Sequence, residues 1–218
     1  MIIGSLLDAG LSLDALTQEL RKLKVEGFSL TAELGRRGGI EGTQVTVHVE
    51  ANVPRISHWR GFVDLIDSSL LSINQKDKAR RVFQRLGAAE AVAHKSKIDN
   101  DSEVQLHELG SLDTLIDVCG AIIGFDLHGI EEVYASPFPV GSGVFDSEHG
   151  AMSGLSPASA ALMVDANAPI GPPPGDVLNA GETVTPTGVA ILTTLATFTQ
   201  DVMTLDRIGY GLGKRDHP

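Results

Sequence analysis

The residues with the clearest capacity for chemistry lie between positions 107 and 117, where His107 and Glu108 precede Asp113 and Asp117. Imidazole and carboxylate together make a donor set for a divalent first-row cation. A second candidate is His149, beside Gly150 in a loop-like passage. A third is the run Thr185-Pro186-Thr187-Gly188, which opens a helix with a hydroxyl cap and proline at the first helical position. The unpaired N–H groups of such a start can take a phosphate, at Thr185, Thr187 and Gly188. His58, in a loop with the only tryptophan, and Glu182, just before that helix, are lesser candidates. The alternative reading is structural throughout: Asp113 and Asp117 cap loops or pair with arginine, His149 is solvated, and Thr185 only caps its helix.

These residues need elements to hold them. Gly110 separates His107-Glu108 from an apolar segment running to about Phe125, with Ser111 as the expected N-cap. On a helix, Asp113, Asp117, Gly120 and Gly124 form one stripe, and leucine, isoleucine, valine and Cys119 cover the rest. A helix apolar nearly all round is a buried helix. Its glycines bring the backbone close to whatever faces them, so the stripe could be a metal or ligand wall. Ser156-Pro157 and Thr185-Pro186 start two further helices, the second running to about Phe198. Residues 131–136 read as a strand, and residues 137–143 and 165–181 as turn-rich and irregular passages.

The first half reads as helix, helix, hairpin and helix. Residues 1–10 have the look of an apolar helix stopped by Gly10, and Ser12 caps a second with Leu13, Leu16, Leu20 and Leu23 at helical spacing. Residues 28–34 and 42–50 alternate as strands about a turn at Arg36-Arg37-Gly38-Gly39, a ribbon expected to pack on the first two helices. A long amphipathic helix follows from Gln75 to His94. Its early basic residues (Lys76, Lys78, Arg80, Arg81 and Arg85) read as a solvated face, or alternatively as phosphate contacts. The glycine-rich run 209–213, with Lys214 and Arg215 after it, is a weak phosphate-loop signal. The expectation is an α+β fold: an early β-hairpin with helices, then a buried central helix with short strands and capped helices. It is read as one domain over 1–218, with possible sub-units 1–96 and 103–218.

Composition narrows the function classes. A formal net charge of −11 over 218 residues argues against nucleic acid or an anionic membrane as partner. One cysteine excludes an intrachain disulfide framework and fits a reducing compartment. No apolar run reaches membrane-spanning length and no signal peptide opens the chain, so a cytoplasmic location is expected.

Several motifs come in a fixed order: Ile2-Ile3-Gly4-Ser5-Leu6-Leu7-Asp8-Ala9-Gly10, Gly39-Ile40-Glu41-Gly42-Thr43, His107-Glu108-Leu109-Gly110-Ser111-Leu112-Asp113, Pro137-Phe138-Pro139-Val140-Gly141, His149-Gly150, Ser156-Pro157-Ala158, Val184-Thr185-Pro186-Thr187-Gly188 and Gly209-Tyr210-Gly211-Leu212-Gly213. In this order they resemble the LarC-type nickel insertion family over essentially the whole chain. The resemblance implies nickel insertion into a pyridinium bis-thiocarboxylate mononucleotide. That is a CTP-dependent cyclometallation forming a nickel–carbon bond and nickel–sulfur bonds, and hence a lyase-class enzyme that makes the nickel-pincer nucleotide cofactor.

On this resemblance His107, Glu108, Asp113 and His149 would hold nickel, and Thr185, Thr187 and Gly188 the substrate's phosphate. Asp117, His58 and Glu182 would be secondary. CTP and a divalent cation would bind through a second domain expected after Pro218, and a glycine- and serine-rich strand and loop would be expected before Met1. Where the family reads His-x-His-Glu, this chain has Gln105 at the first histidine. The expected partners are the pyridinium mononucleotide, the missing domain or a separate subunit, and further copies of the chain in a homo-oligomer. The rival reading is a non-catalytic nickel- or nucleotide-binding subunit that depends on a partner domain.

Overall fold

In the computed structural model, residues 1–94, 106, 109–147, 150–173, 182–199 and 202–213 are described. The architecture is α+β. Helix α1 (Ile2–Asp8) ends as its sequence predicts. Gly10, with φ of +106°, donates to the Leu7 carbonyl at 2.9 Å, and Leu11 donates to the Leu6 carbonyl at 3.0 Å. This is the paired carbonyl capping of a Schellman stop, which only a left-handed residue permits without strain. Helix α2 (Leu13–Leu20) is capped by the Ser12 hydroxyl accepting from the Ala15 N–H, and a 3-10 turn (Arg21–Leu23) extends it to bury Leu23.

Strands β1 (Phe28–Arg37) and β2 (Ile40–Val49) form the hairpin, longer than the alternation alone suggests. Arg36 and Arg37 are in the strand; the turn is Gly38-Gly39 alone, with φ of +53° and +87°. Two such residues make the type I′ turn whose twist matches a two-residue hairpin. The ribbon packs on α1 through β2, whereas α2 turns away to pack on the central helix α5 (Leu112–Leu127), a departure from the expected packing on both early helices.

The glycine-rich run folds as a strand. Here β9 (Gly211–Leu212) pairs in parallel with β2 at Thr43 and Gln44, giving the sheet order β1-β2-β9. A Cβ on Gly211 would lie 1.9 Å from the Met1 carbonyl oxygen, one on Gly209 2.1 Å from that of Ser5, and one on Gly4 2.4 Å from that of Thr43. These glycines let α1 and two strands touch backbone to backbone, which replaces the phosphate-loop reading.

Helices α3 (Trp59–Ser68) and α4 (Ile73–Ala93) pack through Phe62 and Phe83, whose rings stack at 4.4 Å. A capping box formed by Ser72 and Gln75 starts α4 two residues before the expected point. The basic residues of α4 bind neighbouring elements. Lys76 donates to the Asp67 and Ser69 carbonyls, Lys78 pairs with Asp126, and Arg80 pairs with Asp67. Arg81 and Arg85 reach the Thr194 and Thr193 carbonyls at the end of α7 (Pro186–Leu195), and Arg85 also pairs with Asp165 at the end of α6 (Pro157–Asp165). Helix α7 stops at Leu195, short of Phe198.

Helix α5 is the buried centre that its composition demands. Leu115, Ile116, Val118, Cys119, Ile122 and Ile123 are at most 1% exposed, within one hydrophobic cluster that runs from Ile3 to Ile191. The irregular second half is tied by small pairs: β3 (Val133–Tyr134) parallel with β8 (Ala196–Thr197), β4 (Phe138–Pro139) parallel with β7 (Ile170–Gly171), and β5 (Val144–Ser147) antiparallel with β6 (Gly150–Ser153). Among the described residues no helix is long and apolar enough to cross a membrane.

Candidate metal and substrate cleft

The stripe on α5 meets protein. Gly120 faces the Ile3 side chain, where a Cβ would come within 2.7 Å, and Gly124 faces Leu6 at the same distance. His128, at the C-cap, donates from Nε2 to the Leu6 carbonyl at 2.9 Å. The glycines therefore seat α1. Asp117, one turn before them, is exposed.

Asp113 is half-buried, and its Oδ1 accepts from the Thr114 N–H at 2.9 Å and from the Ser111 hydroxyl. Ser111 occupies the N-cap, but its hydroxyl donates to Asp113 and caps no helix amide itself, contrary to the sequence expectation. The carboxylate holds that turn because a negative charge is favourable at a helix N-terminus.

His107, Glu108 and His149 lie outside the described residues; Leu106, Leu109 and Gly110 do not. The Ile56 N–H donates to the Gly110 carbonyl at 2.7 Å, and the Leu106 N–H to the Ser57 carbonyl at 2.9 Å. A Cβ on Gly110 would meet the Ile56 and Leu106 carbonyls, both at 2.6 Å, so this crossing requires glycine. Positions 106 and 110 are thereby fixed to the loop that leads into His58, the half-buried residue at the N-cap of α3.

A cleft of about 230 Å³ opens beside this crossing. Its lining comes from the end of α4 (Glu90, Ala93 and His94), from Leu109, from Met152 on β6, from the start of α6 (Ser156, Pro157 and Ala158), and from Pro186 at the start of α7. Both helix starts are built as their sequences predict. The Ser156 hydroxyl accepts from the Ser159 N–H at 3.3 Å and the Thr185 hydroxyl from the Gly188 N–H at 3.4 Å, each with proline at the first position. Thr185 is exposed while Thr187, Gly188 and Glu182 are half-buried, and of this segment Pro186 is what reaches the cleft wall.

Of the cleft residues, Glu90 escaped the sequence reading, which took His94 only as the end of its helix. Glu90 is only 7% exposed, and its Oε2 lies 3.4 Å from His94 Nε2, one turn further along α4. The available signal was their spacing of four on the apolar side of an amphipathic helix, which puts an acid and an imidazole together on a face meant for burial. Among the described residues no three histidine, cysteine, aspartate or glutamate side chains converge on one point.

The chain matches the family described as nickel insertion protein over residues 1–218. It belongs to that family. A relative from Dictyoglomus thermophilum, named provisionally for nickel insertion, is 37% identical over 99% of this chain and 54% of its own length. Another so named, from Roseiflexus castenholzii, is 40% identical over 99% of this chain and 52% of its own. A third, from Desulfitobacterium hafniense, is named pyridinium-3,5-bisthiocarboxylic acid mononucleotide nickel insertion protein; it is 36% identical over 99% of this chain and 52% of its own length. The chain thus spans about half the length of the curated relatives it matches. No solved structure matches it.

Proposed function

We propose that this chain carries the metal- and substrate-handling part of a nickel insertion enzyme acting on a pyridinium bis-thiocarboxylate mononucleotide. The observation that carries this reading is the cleft, where two capped helix starts meet the buried Glu90 and the half-buried His94 beside Leu109. Its volume, below the roughly 300–1,000 Å³ of pockets for larger ligands, suits one substituted ring. Apolar walls from Ala93, Leu109, Met152, Ala158 and two prolines suit the ring faces, while the N–H groups at the starts of α6 and α7 favour anionic thiocarboxylate or phosphate groups despite the acidic chain.

Nickel is the cargo. Imidazole and carboxylate hold it without the grip of thiolate, so it can pass to the substrate's sulfur atoms. We assign that holding role to His107, Glu108 and His149, with Asp113 fixing the start of α5 and the Thr185 to Gly188 turn ordering the phosphate end. Cyclometallation replaces a ring C–H bond by a nickel–carbon bond, and the displaced proton must go to a base. The CTP-dependent step, with its divalent cation, we assign to the part of the longer relatives that this chain does not cover.

The test is calorimetric titration with Ni2+ at neutral pH on the parent and on His107→Ala. One-site binding that the substitution removes is the expected result. A parent that takes up no Ni2+ would reject the reading, and unchanged binding in the variant would reject the ligand assignment.

A further inference from the structure

We propose that the outer edge of β1 is the surface through which two copies of this chain pair, strand against antiparallel strand, about a two-fold axis at Ala32.

Strand β1 is outermost in the sheet β1-β2-β9 and runs for 10 residues without a bulge, a proline or a lysine. Leu34 stands opposite Thr43, whose N–H donates to the Tyr210 carbonyl at 2.8 Å on the far side of β2. In an antiparallel ladder, opposite residues either exchange both bonds or both turn away from each other. Leu34 is therefore turned outward, and by the period of two so are Phe28, Leu30, Ala32 and Arg36. The Arg36 carbonyl is taken by the Arg37 guanidinium at 3.0 Å. Among the described residues nothing bonds the outward backbone groups of Leu30, Ala32 and Leu34. A long edge with none of the usual blocking devices is a template for a further strand.

The edge is complementary to itself. With Ala32 opposite the second copy's Ala32, the outward groups of Leu30, Ala32 and Leu34 all find partners. Leu34, 85% exposed, then lies beside the second copy's Leu30, on the face where Leu30, Val45 and Val47 already pack against the core. On the other face Glu33 lies beside the second copy's Thr31. Moving the axis one residue on, to Glu33, would set two glutamates against each other, which is destabilising. The strand also carries Arg36 and Arg37 against Glu33, so the two edges meet without the acidic excess of the whole chain.

Sedimentation velocity over a concentration series should show the parent passing from monomer to dimer. Leu34→Lys places a charge on an exposed position, and Ala32→Pro removes an N–H that makes no bond to β2, so both variants should keep the parent's thermal midpoint as monomers. Because the two-fold doubles every substitution, each should weaken dimerisation about tenfold or more. The register has its own readout, since buried Cys119 is the only other thiol. Opposite residues of such a pair have Cα atoms about 5.5 Å apart, within disulfide reach, so Ala32→Cys should cross-link two chains on oxidation. In Leu34→Cys the two thiols would be four residues out of step, roughly 13 Å apart, and should not join. A parent that stays monomeric throughout the series overturns the proposal. So does a dimer that both edge variants leave intact, or one that cross-links at position 34 and not at 32.

Discussion

Asp8 accepts the backbone N–H of Tyr210 at 2.8 Å through one carboxylate oxygen, across 202 residues of chain. Its other oxygen accepts from the Thr43 hydroxyl at 2.9 Å. One side chain thus ties α1 to both β2 and the strand beside it. Asp8→Ala removes both bonds and leaves Thr43, which is 7% exposed, without this acceptor. The expected loss is about 2–3 kcal/mol, read from the urea midpoint at unchanged slope.

Gly4 and Gly188 should respond in opposite ways to alanine. At Gly4 the new methyl would meet the Thr43 carbonyl at 2.4 Å, a backbone atom that cannot swing aside, and a cost of about 1–3 kcal/mol is expected. At Gly188 the nearest atom is Thr185 Oγ1 at 3.5 Å, and the residue is inside a helix. There alanine should be neutral or stabilise by up to about 1 kcal/mol. Thermal denaturation of the two variants side by side checks the contrast. Phosphate affinity measured on the stable Gly188→Ala protein then bears on binding free of any folding defect.

Arg85 and Asp165 share an ion pair but not its importance. Asp165 is 68% exposed in its side chain, so Asp165→Asn should cost under about 1 kcal/mol. Arg85 also donates to the Thr193 carbonyl at 2.6 Å, one of the last carbonyls of α7. Arg85→Met should therefore cost about 2 kcal/mol. Equal losses in the two variants would show that the ion pair, and not the carbonyl cap, is what matters.

Burial pushes the Cys119 thiol up to about 12 from its ordinary 9.0. The folded protein keeps the thiol proton while the unfolded chain releases it near pH 9. Stability from this group is therefore complete below pH 9 and declines as pH rises from 9 towards 12. Cys119→Ala should flatten that alkaline decline. At pH 8 a thiol reagent should label Cys119 only as fast as the protein opens, a rate to be compared with hydrogen exchange of the α5 amides.

Features set by neighbours in sequence were legible: the Gly10 stop, the Ser12, Ser156 and Thr185 caps, the hairpin and the burial of α5 each depend on a few adjacent residues. What escaped is set by distant partners. The alternation of β2 does not announce that residues 211–212 will pair with it, and two-residue strands such as β7 and β8 carry no periodicity to detect. The Gly120 and Gly124 spacing correctly signalled a close approach, but spacing cannot say that the approaching group is Ile3 or Leu6. Glu90 was hidden for a related reason. A polar residue in an amphipathic helix is assigned to water unless its partner and its burial are known.

The seat of α1 between β2 and residues 209–211 has a consequence for biosynthesis. Helix α1 leaves the ribosome well before the residues that lock it, because two of the contacts that hold it come from Gly209 and Gly211. Until those residues emerge, Ile3 and Leu6 can reach α5, but Asp8 still lacks its Tyr210 partner. Closing contacts of such long sequence separation is slow, and the incomplete chain exposes the β2 edge that β9 later covers. During synthesis, that edge is where this protein is most open to pairing with the wrong strand.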